Sequence, residues 1–164
     1  MVLSGRYTLQ RLIGVGGMGS TVWLAQQTHI ERPVAVKLLP PGQEIPMRRF
    51  EREARIASNL RHPHIVTIYD YGPTDDGKLF LVMEYLEGQT LEQVLRTNPA
   101  LPPDRAMHIT VQVLRALSHA HSKRVVHRDL KPSNLFLAPT DDDRDYIKVL
   151  DFGLAKYFAD DDVQ

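Results

Sequence analysis

A chain of 164 residues, 43% of them hydrophobic, is long enough for one domain with a sizeable core and too apolar for wholesale disorder. It has no cysteine, which excludes a disulfide scaffold, a thiol nucleophile and any cysteine-based zinc site. Its 20 basic and 20 acidic side chains cancel, so no global field points to nucleic acid or a membrane surface, although residues 140–164 carry 3 basic against 8 acidic groups.

Met1–Arg11 has no apolar targeting core. The longest uncharged run, Leu12–Ile30, holds four glycines, two glutamines and a histidine, and so is no spanning helix. The expectation is a soluble, cytoplasmic protein with no membrane segment in this chain. Five runs rich in β-branched and aromatic residues predict strands at Tyr7–Ile13, Thr21–Gln26, Pro33–Leu39, Ile65–Tyr71 and Leu79–Tyr85. Asp75-Asp76-Gly77 marks a hairpin between the last two. One helix, about Met47–Leu60, interrupts them. From Thr90 helices lead: a short one at Thr90–Arg96, then Asp104–His121, with Asp104 as its expected N-cap after Pro102-Pro103. Short extended pieces follow at Arg124–Val126, Leu135–Leu137 and Ile147–Leu150. Between the last two lies an acidic loop, Pro139–Asp145, which reads as solvated surface.

Gly14-Val15-Gly16-Gly17-Met18-Gly19 fits G-x-G-x-x-G, weak on its own. A dinucleotide fold needs a helix directly afterwards, but Ser20–Ala25 reads as strand. A Walker loop needs a lysine after the last glycine, and Ser20 stands there. What remains is a hairpin tip, either ordinary or one whose bare backbone N–H groups can cover phosphates.

In the apolar run Pro33–Leu39 a single charge, Lys37, shares a face with Ala35 and Leu39 by the period of two. On the helix Met47–Leu60, Phe50, Ala54, Ala57 and Leu60 form one arc, and Glu53 falls inside it. A carboxylate and an ammonium that are each costly to bury alone are tolerable together, so a Lys37–Glu53 ion pair is expected. It is either fold glue or the means of holding a lysine against phosphate oxygens.

His127-Arg128-Asp129-Leu130-Lys131-Pro132-Ser133-Asn134 follows a helix, and Asp151-Phe152-Gly153 follows a strand. Asp129 and Asn134, five apart in a loop kept non-helical by Pro132, can aim a carboxylate at a hydroxyl and an amide oxygen at a metal. Asp151 supplies a second hard oxygen suited to Mg²⁺, and Lys131 can balance charge on a phosphoryl group in transfer.

In this order, together with Val34-Ala35-Val36-Lys37, Arg52-Glu53-Ala54, His62-Pro63 and Met83-Glu84-Tyr85-Leu86, these runs resemble a protein kinase of the bacterial, eukaryotic-like (Hanks-type) serine/threonine group. The resemblance implies an α+β, two-lobe, protein-kinase-like fold: a complete antiparallel sheet lobe with one helix over 1–86, and a partial helical lobe over 87–164. It implies ATP and Mg²⁺, and transfer of the γ-phosphate to Ser or Thr of a protein substrate. Asp129 would orient or deprotonate the hydroxyl and Lys131 would stabilise the γ-phosphate, while Asn134 and Asp151 would hold the metal. The nucleotide would meet Ile13, Gly14, Val15, Gly16, Gly17, Met18, Gly19 and Val22, with Lys37, fixed by Glu53, on the α/β-phosphates. Ala35 and Phe136 would sandwich the adenine, the backbone of Glu84 and Leu86 would bind its edge, and Met83 would stand behind it. His127, Phe152, Ala57 and Ile68 would form a packing column.

Three features depart from that pattern. Val22 lies three residues after Gly19 rather than two: either the hairpin has one extra residue, or Ser20 takes the place of the third glycine with Gly17 as the second, and a one-residue slip flips side-chain facing unless a bulge absorbs it. Ala57 is small for its place. No Ala-Pro-Glu run and no Ser or Thr follows Asp151. The helix Asp104–His121 is apolar around most of its circumference, which predicts exposed apolar surface awaiting a partner or further chain. The alternative reading is therefore a nucleotide-binding or interaction fragment that transfers no phosphate. His62-Pro63-His64 and His119-Ala120-His121 could suggest a metal, but packing is the stronger reading.

Overall fold

The computed structural model describes residues 2–16, 19–39 and 47–152, apart from the side chains of Met47 and Arg49. These fall into two compact units, Met1–Ser58 with Thr67–Tyr85, and Asn59–Val66 with Leu86–Gln164.

In the first unit, β1 (Val2–Leu3), β2 (Tyr7–Val15), β3 (Thr21–Gln27), β4 (Arg32–Leu38), β5 (Ile68–Pro73) and β6 (Leu79–Glu84) form one antiparallel sheet in the order β1-β2-β3-β4-β6-β5. Alternation then assigns the faces. Leu3, Tyr7, Leu9, Ala25, Val34, Val36, Phe80 and Val82 form a core on one of them. The opposite face carries the row Val22, Lys37, Leu81 and Tyr71, and beside it Leu24, Ala35 and Met83. The helix α1 (Met47–Ser58) belongs to this second face, since Phe50 meets Tyr71 edge-on with ring centroids 6.3 Å apart. The expected arc is buried, with Phe50, Ala54 and Ala57 each at most 3% exposed.

The pairing of β2 with β3 shifts register twice, between Leu9 and Arg11 and again between Leu12, which faces Trp23, and Gly14, which faces Val22, so Ile13 is a bulge residue. The run expected as the strand Ile65–Tyr71 divides. Only Ile68 onward joins the sheet, while Ile65 makes a parallel bridge to Val149 within the second unit. Nothing in the β-rich composition of that run marks the division.

The second unit is built on α3 (Pro103–Ser122), with α2 (Leu91–Thr97) and a small antiparallel sheet of β7 (Gln89–Thr90), β8 (Leu135–Leu137) and β9 (Ile147–Val149). Ile109, Val113, Ala116 and Ala120 of α3 share a core with Leu91, Val94, Leu135, Ile147 and Val149. A capping box starts α2: Gln93 N–H donates to Thr90 Oγ1 at 3.2 Å, and Thr90 N–H donates to Gln93 Oε1 at 2.7 Å. Asp104 is not the N-cap of α3. The helix opens at Pro103, whose fixed φ and missing N–H suit the first position, and Asp104 lies in the first turn, where its charge favours the helix dipole. No strand forms at Arg124–Val126.

The acidic loop is more than solvated surface. Asp145 accepts from Nε and Nη2 of Arg105 at 2.7–3.0 Å, and Asp143 meets His108 Nε2 at 2.9 Å. The expected apolar excess of α3 is present: Met107, Val111 and Leu114, spaced four and three apart, are 62%, 40% and 57% exposed.

Candidate functional site

The glycine hairpin closes with Gly16 N–H donating to the Ser20 carbonyl at 2.8 Å. Ser20 is buried, and a Cβ on Gly16 would run into its hydroxyl, which would have to turn aside. Gly17 and Met18 lie outside the described residues. Val15 is exposed at the strand end and Gly14 lies directly across from Val22. From Val22 the row continues to Lys37 and Leu81, so the glycine strand, the lysine and the sheet centre are linked by register alone. Ala35 faces Met83 one step further, and both are buried. Lys37 is half-buried in β4, and Glu53 is half-buried on α1 in the same unit. At the end of β6, Glu84 N–H donates to the Thr67 carbonyl at 2.9 Å, and its carboxylate accepts from Thr67 N–H at 2.7 Å. Leu86, also half-buried, begins the second unit.

In the second unit the loop after α3 is tied by side chains. Burial lowers the pKa of His127, which is 2% exposed, below the ordinary imidazole value. The neutral ring donates from Nε2 to the Leu150 carbonyl at 2.7 Å, leaving Nδ1 to accept from Asp129 N–H at 3.3 Å. The two bonds together fix the tautomer. The ring also stands edge-on to Phe152, centroids 4.7 Å apart, which brings together the two members of the expected packing column that lie in this unit.

Asp129 is half-buried. Lys131 Nζ lies 2.8 Å from its Oδ2 and the Asn134 amide donates to the same oxygen at 3.1 Å. The Lys131 bond is the main reason its carboxyl is held below the usual carboxylate range. Asn134 donates as well to the Asp129 carbonyl at 2.8 Å, and its own carbonyl accepts from Leu150 N–H at 2.9 Å. Both bonds to Asp129 use the amide nitrogen, which turns the amide oxygen of Asn134 away from that carboxylate. Asp151 lies one residue beyond Leu150, and an amide oxygen with a carboxylate is donor chemistry of the kind that Mg²⁺ takes. Arg124, Arg128 and Asp151 have left-handed backbones, at φ +60°, +66° and +55°. Such strain is held only where the surroundings over-determine it. Phe136, on β8, is half-buried opposite Thr90.

Sequence reasoning missed two features. Gln112 of α3 is 3% exposed and bonds both ends of the turn into β9, with Nε2 on the Asp145 carbonyl at 3.0 Å and Oε1 on Ile147 N–H at 2.9 Å. His119 joins the neighbouring His62 and His64: the His62 ring centroid lies 5.5 Å from that of His64 and 5.3 Å from that of His119. Among the described residues no group of three or more His, Cys, Asp or Glu side chains could hold a metal ion. The only advance signal for Gln112 was its polarity on an apolar helix.

Comparison with known proteins identifies the family. The protein kinase domain profile matches residues 7–163. Serine/threonine-protein kinase pkn3 of Myxococcus xanthus is 44% identical over 92% of the chain, and serine/threonine-protein kinase PrkC of Bacillus subtilis is 45% identical over 93%. The chain spans only 28% and 23% of those two proteins. A crystal structure of a mutant Mycobacterium tuberculosis PknI kinase domain superposes with a TM-score of 0.82 at 34% identity, over 94% of this chain and 62% of that one.

Proposed function

The chain belongs to the protein kinase family, and from that premise we propose that it is part of a cytoplasmic serine/threonine kinase that passes the γ-phosphate of ATP to protein hydroxyls. The observation that supports this most is the hydrogen-bonded set of Asp129, Lys131 and Asn134, joined to the residue before Asp151.

On this reading the domain divides into a sheet lobe over 1–86 and a partial helical lobe over 87–164. The glycine hairpin Gly14–Gly19, with Ile13 and Val22, covers the phosphates, and Lys37, fixed by Glu53, binds them by charge-assisted hydrogen bonds. Ala35, Met83 and Phe136 contact the base, whose edge is read by the backbone of Glu84 and Leu86. The substrate hydroxyl donates to the Asp129 carboxylate, which aims its oxygen at the γ-phosphorus. As the new O–P bond forms, the bond to the β-phosphate oxygen breaks and ADP leaves, and the hydroxyl proton passes to Asp129. Lys131 offsets charge on the phosphoryl group during transfer. Asn134 and Asp151 would hold Mg²⁺, which neutralises phosphate charge.

The test is transfer of labelled γ-phosphate to a Ser/Thr-rich protein by the chain and by Asp129→Asn. Label that falls about 10²–10⁴-fold in the variant is expected. A folded chain stabilised by Mg·ATP that labels nothing would refute transfer and leave a nucleotide-binding fragment, a reading favoured by the bare stripe Met107, Val111 and Leu114.

A further inference from the structure

Immediately before the two-residue strand β7 lies Gly88, with φ +141°, a backbone conformation that residues with side chains rarely adopt. Space restricts it as firmly. A Cβ there would overlap the Leu137 carbonyl oxygen and lie 3.1 Å from its carbon and 3.2 Å from Cε1 of Phe136. The main obstacle is strand backbone rather than the tip of a flexible side chain, so one strand must move. β8 is held from behind, because Leu135 and Leu137 pair with Val149 and Ile147, both 0% exposed. β7 has only the pairs Gln89–Leu137 and Thr90–Phe136, and is the element that must yield.

We infer that Gly88 is a positioning residue for nucleotide binding: its missing side chain lets β7 close onto β8 and sets the place of the Phe136 ring. This rests on the reading of Phe136 as a base-contacting residue. Thr90 links the two effects, since it stands opposite Phe136 and also caps α2. A side chain at position 88 thus presses on the ring directly and loosens the strand that faces it. Because a flat contact to a base is the same before and during phosphoryl transfer, its loss weakens binding without slowing the chemical step.

The experiment is calorimetric titration of the chain with Mg·ATP, for wild type, Gly88→Ala, Thr90→Ala and Gly77→Ala. Gly77 is the control. It too has a positive φ, +78°, but nothing lies within 4 Å of a Cβ there, so it reports backbone strain without displacement. The expected result is affinity about tenfold or more weaker for Gly88→Ala, a smaller loss for Thr90→Ala, and no change for Gly77→Ala. In turnover the defect falls on KM for ATP and not on kcat. Gly88→Ala that binds like wild type overturns the inference and leaves the kinase reading standing. An equal loss in Gly77→Ala also overturns it, because general strain would then suffice. If Gly88→Ala does not fold, Thr90→Ala decides, and wild-type affinity there refutes the positioning role. A folded wild type that binds no Mg·ATP removes the kinase reading and this inference with it.

Discussion

Replacing Gln112 by leucine tests how β9, and so the approach to Asp151, is held. The amides of Ile147 and Val149 alternate with those facing β8 and point to the outer edge of the small sheet, where Ile65 bridges Val149. Val149 N–H is taken by the His64 carbonyl at 2.9 Å and Ile147 N–H by Gln112 Oε1 at 2.9 Å. Ile147 is 0% exposed, so Gln112→Leu leaves its N–H without that partner where water cannot reach it, and deprives the Asp145 carbonyl of Nε2 as well. One buried orphan costs about 1–3 kcal/mol, and leucine in a site of similar volume regains roughly 1 kcal/mol through apolar burial. A net loss of about 1–2 kcal/mol is expected for the second unit. The assay is hydrogen exchange at the Ile147 amide, whose protection should fall about 5- to 30-fold, alongside denaturant unfolding. Gln112→Glu keeps the acceptor and loses the donor, and should lie between the two. Unchanged Ile147 protection in Gln112→Leu would refute the reasoning, since the amide would then have been satisfied without Gln112.

Burial, and after it the neighbouring His64, His119, Lys148 and Arg115, hold the pKa of His62 below 6.5. The unfolded chain therefore takes up its proton first, and thermal midpoints should fall as pH drops through 6.5 towards the lower folded value; His62→Gln should flatten that slope, and an identical slope in the variant would exclude His62 as its source. Tyr7 behaves oppositely. Burial, then its bond to Asp70 at 2.8 Å, raise its pKa to about 12 from 10.0, so stability present below pH 10 is lost as pH rises towards 12. Tyr7→Phe should cost about 1–2 kcal/mol near neutrality, because Asp70 keeps Arg6 at 2.7 Å, and should remove the alkaline slope in chemical denaturation. The double change Met107→Gln and Leu114→Gln should lower aggregation in light scattering while changing stability by less than about 0.5 kcal/mol for each site. A large loss of stability would mean that the stripe is packed in solution.

The parts of the fold that were legible in the sequence are those fixed by short-range pattern. A period of two puts Lys37 on one face with Ala35, and a period near 3.6 buries Phe50, Ala54 and Ala57, because strand and helix geometry alone set those directions. β1 and β7 are two residues long and exist only through their partners, so no local pattern announces them. Ile65 and Ile68 are three residues apart in one β-rich run, yet Ile65 bridges Val149 and Ile68 pairs with Met83, a division that depends on what each meets in space. Asp104 is a good N-cap residue in isolation, but Pro103 opens the helix first.

The same distinction separates the residues of the site from what holds them. The runs around Asp129 and Asp151 were readable as two pieces of chemistry because each is contiguous. Their physical connection is not contiguous. Arg128 and Asp151 both adopt left-handed backbones, at about 1–2 kcal/mol each for residues with a Cβ. The residues just before them, His127 and Leu150, are joined by the 2.7 Å bond from the buried ring to the carbonyl. One hydrogen bond across 23 residues thus braces both strained turns at the point where each begins. The ring can serve this way only while it is neutral at Nδ1 towards Asp129 N–H, and burial favours that state. The histidine before Arg128 therefore contributes by geometry: it makes the carboxylate of one loop and the metal-ligand candidate of the other into a single mechanical element.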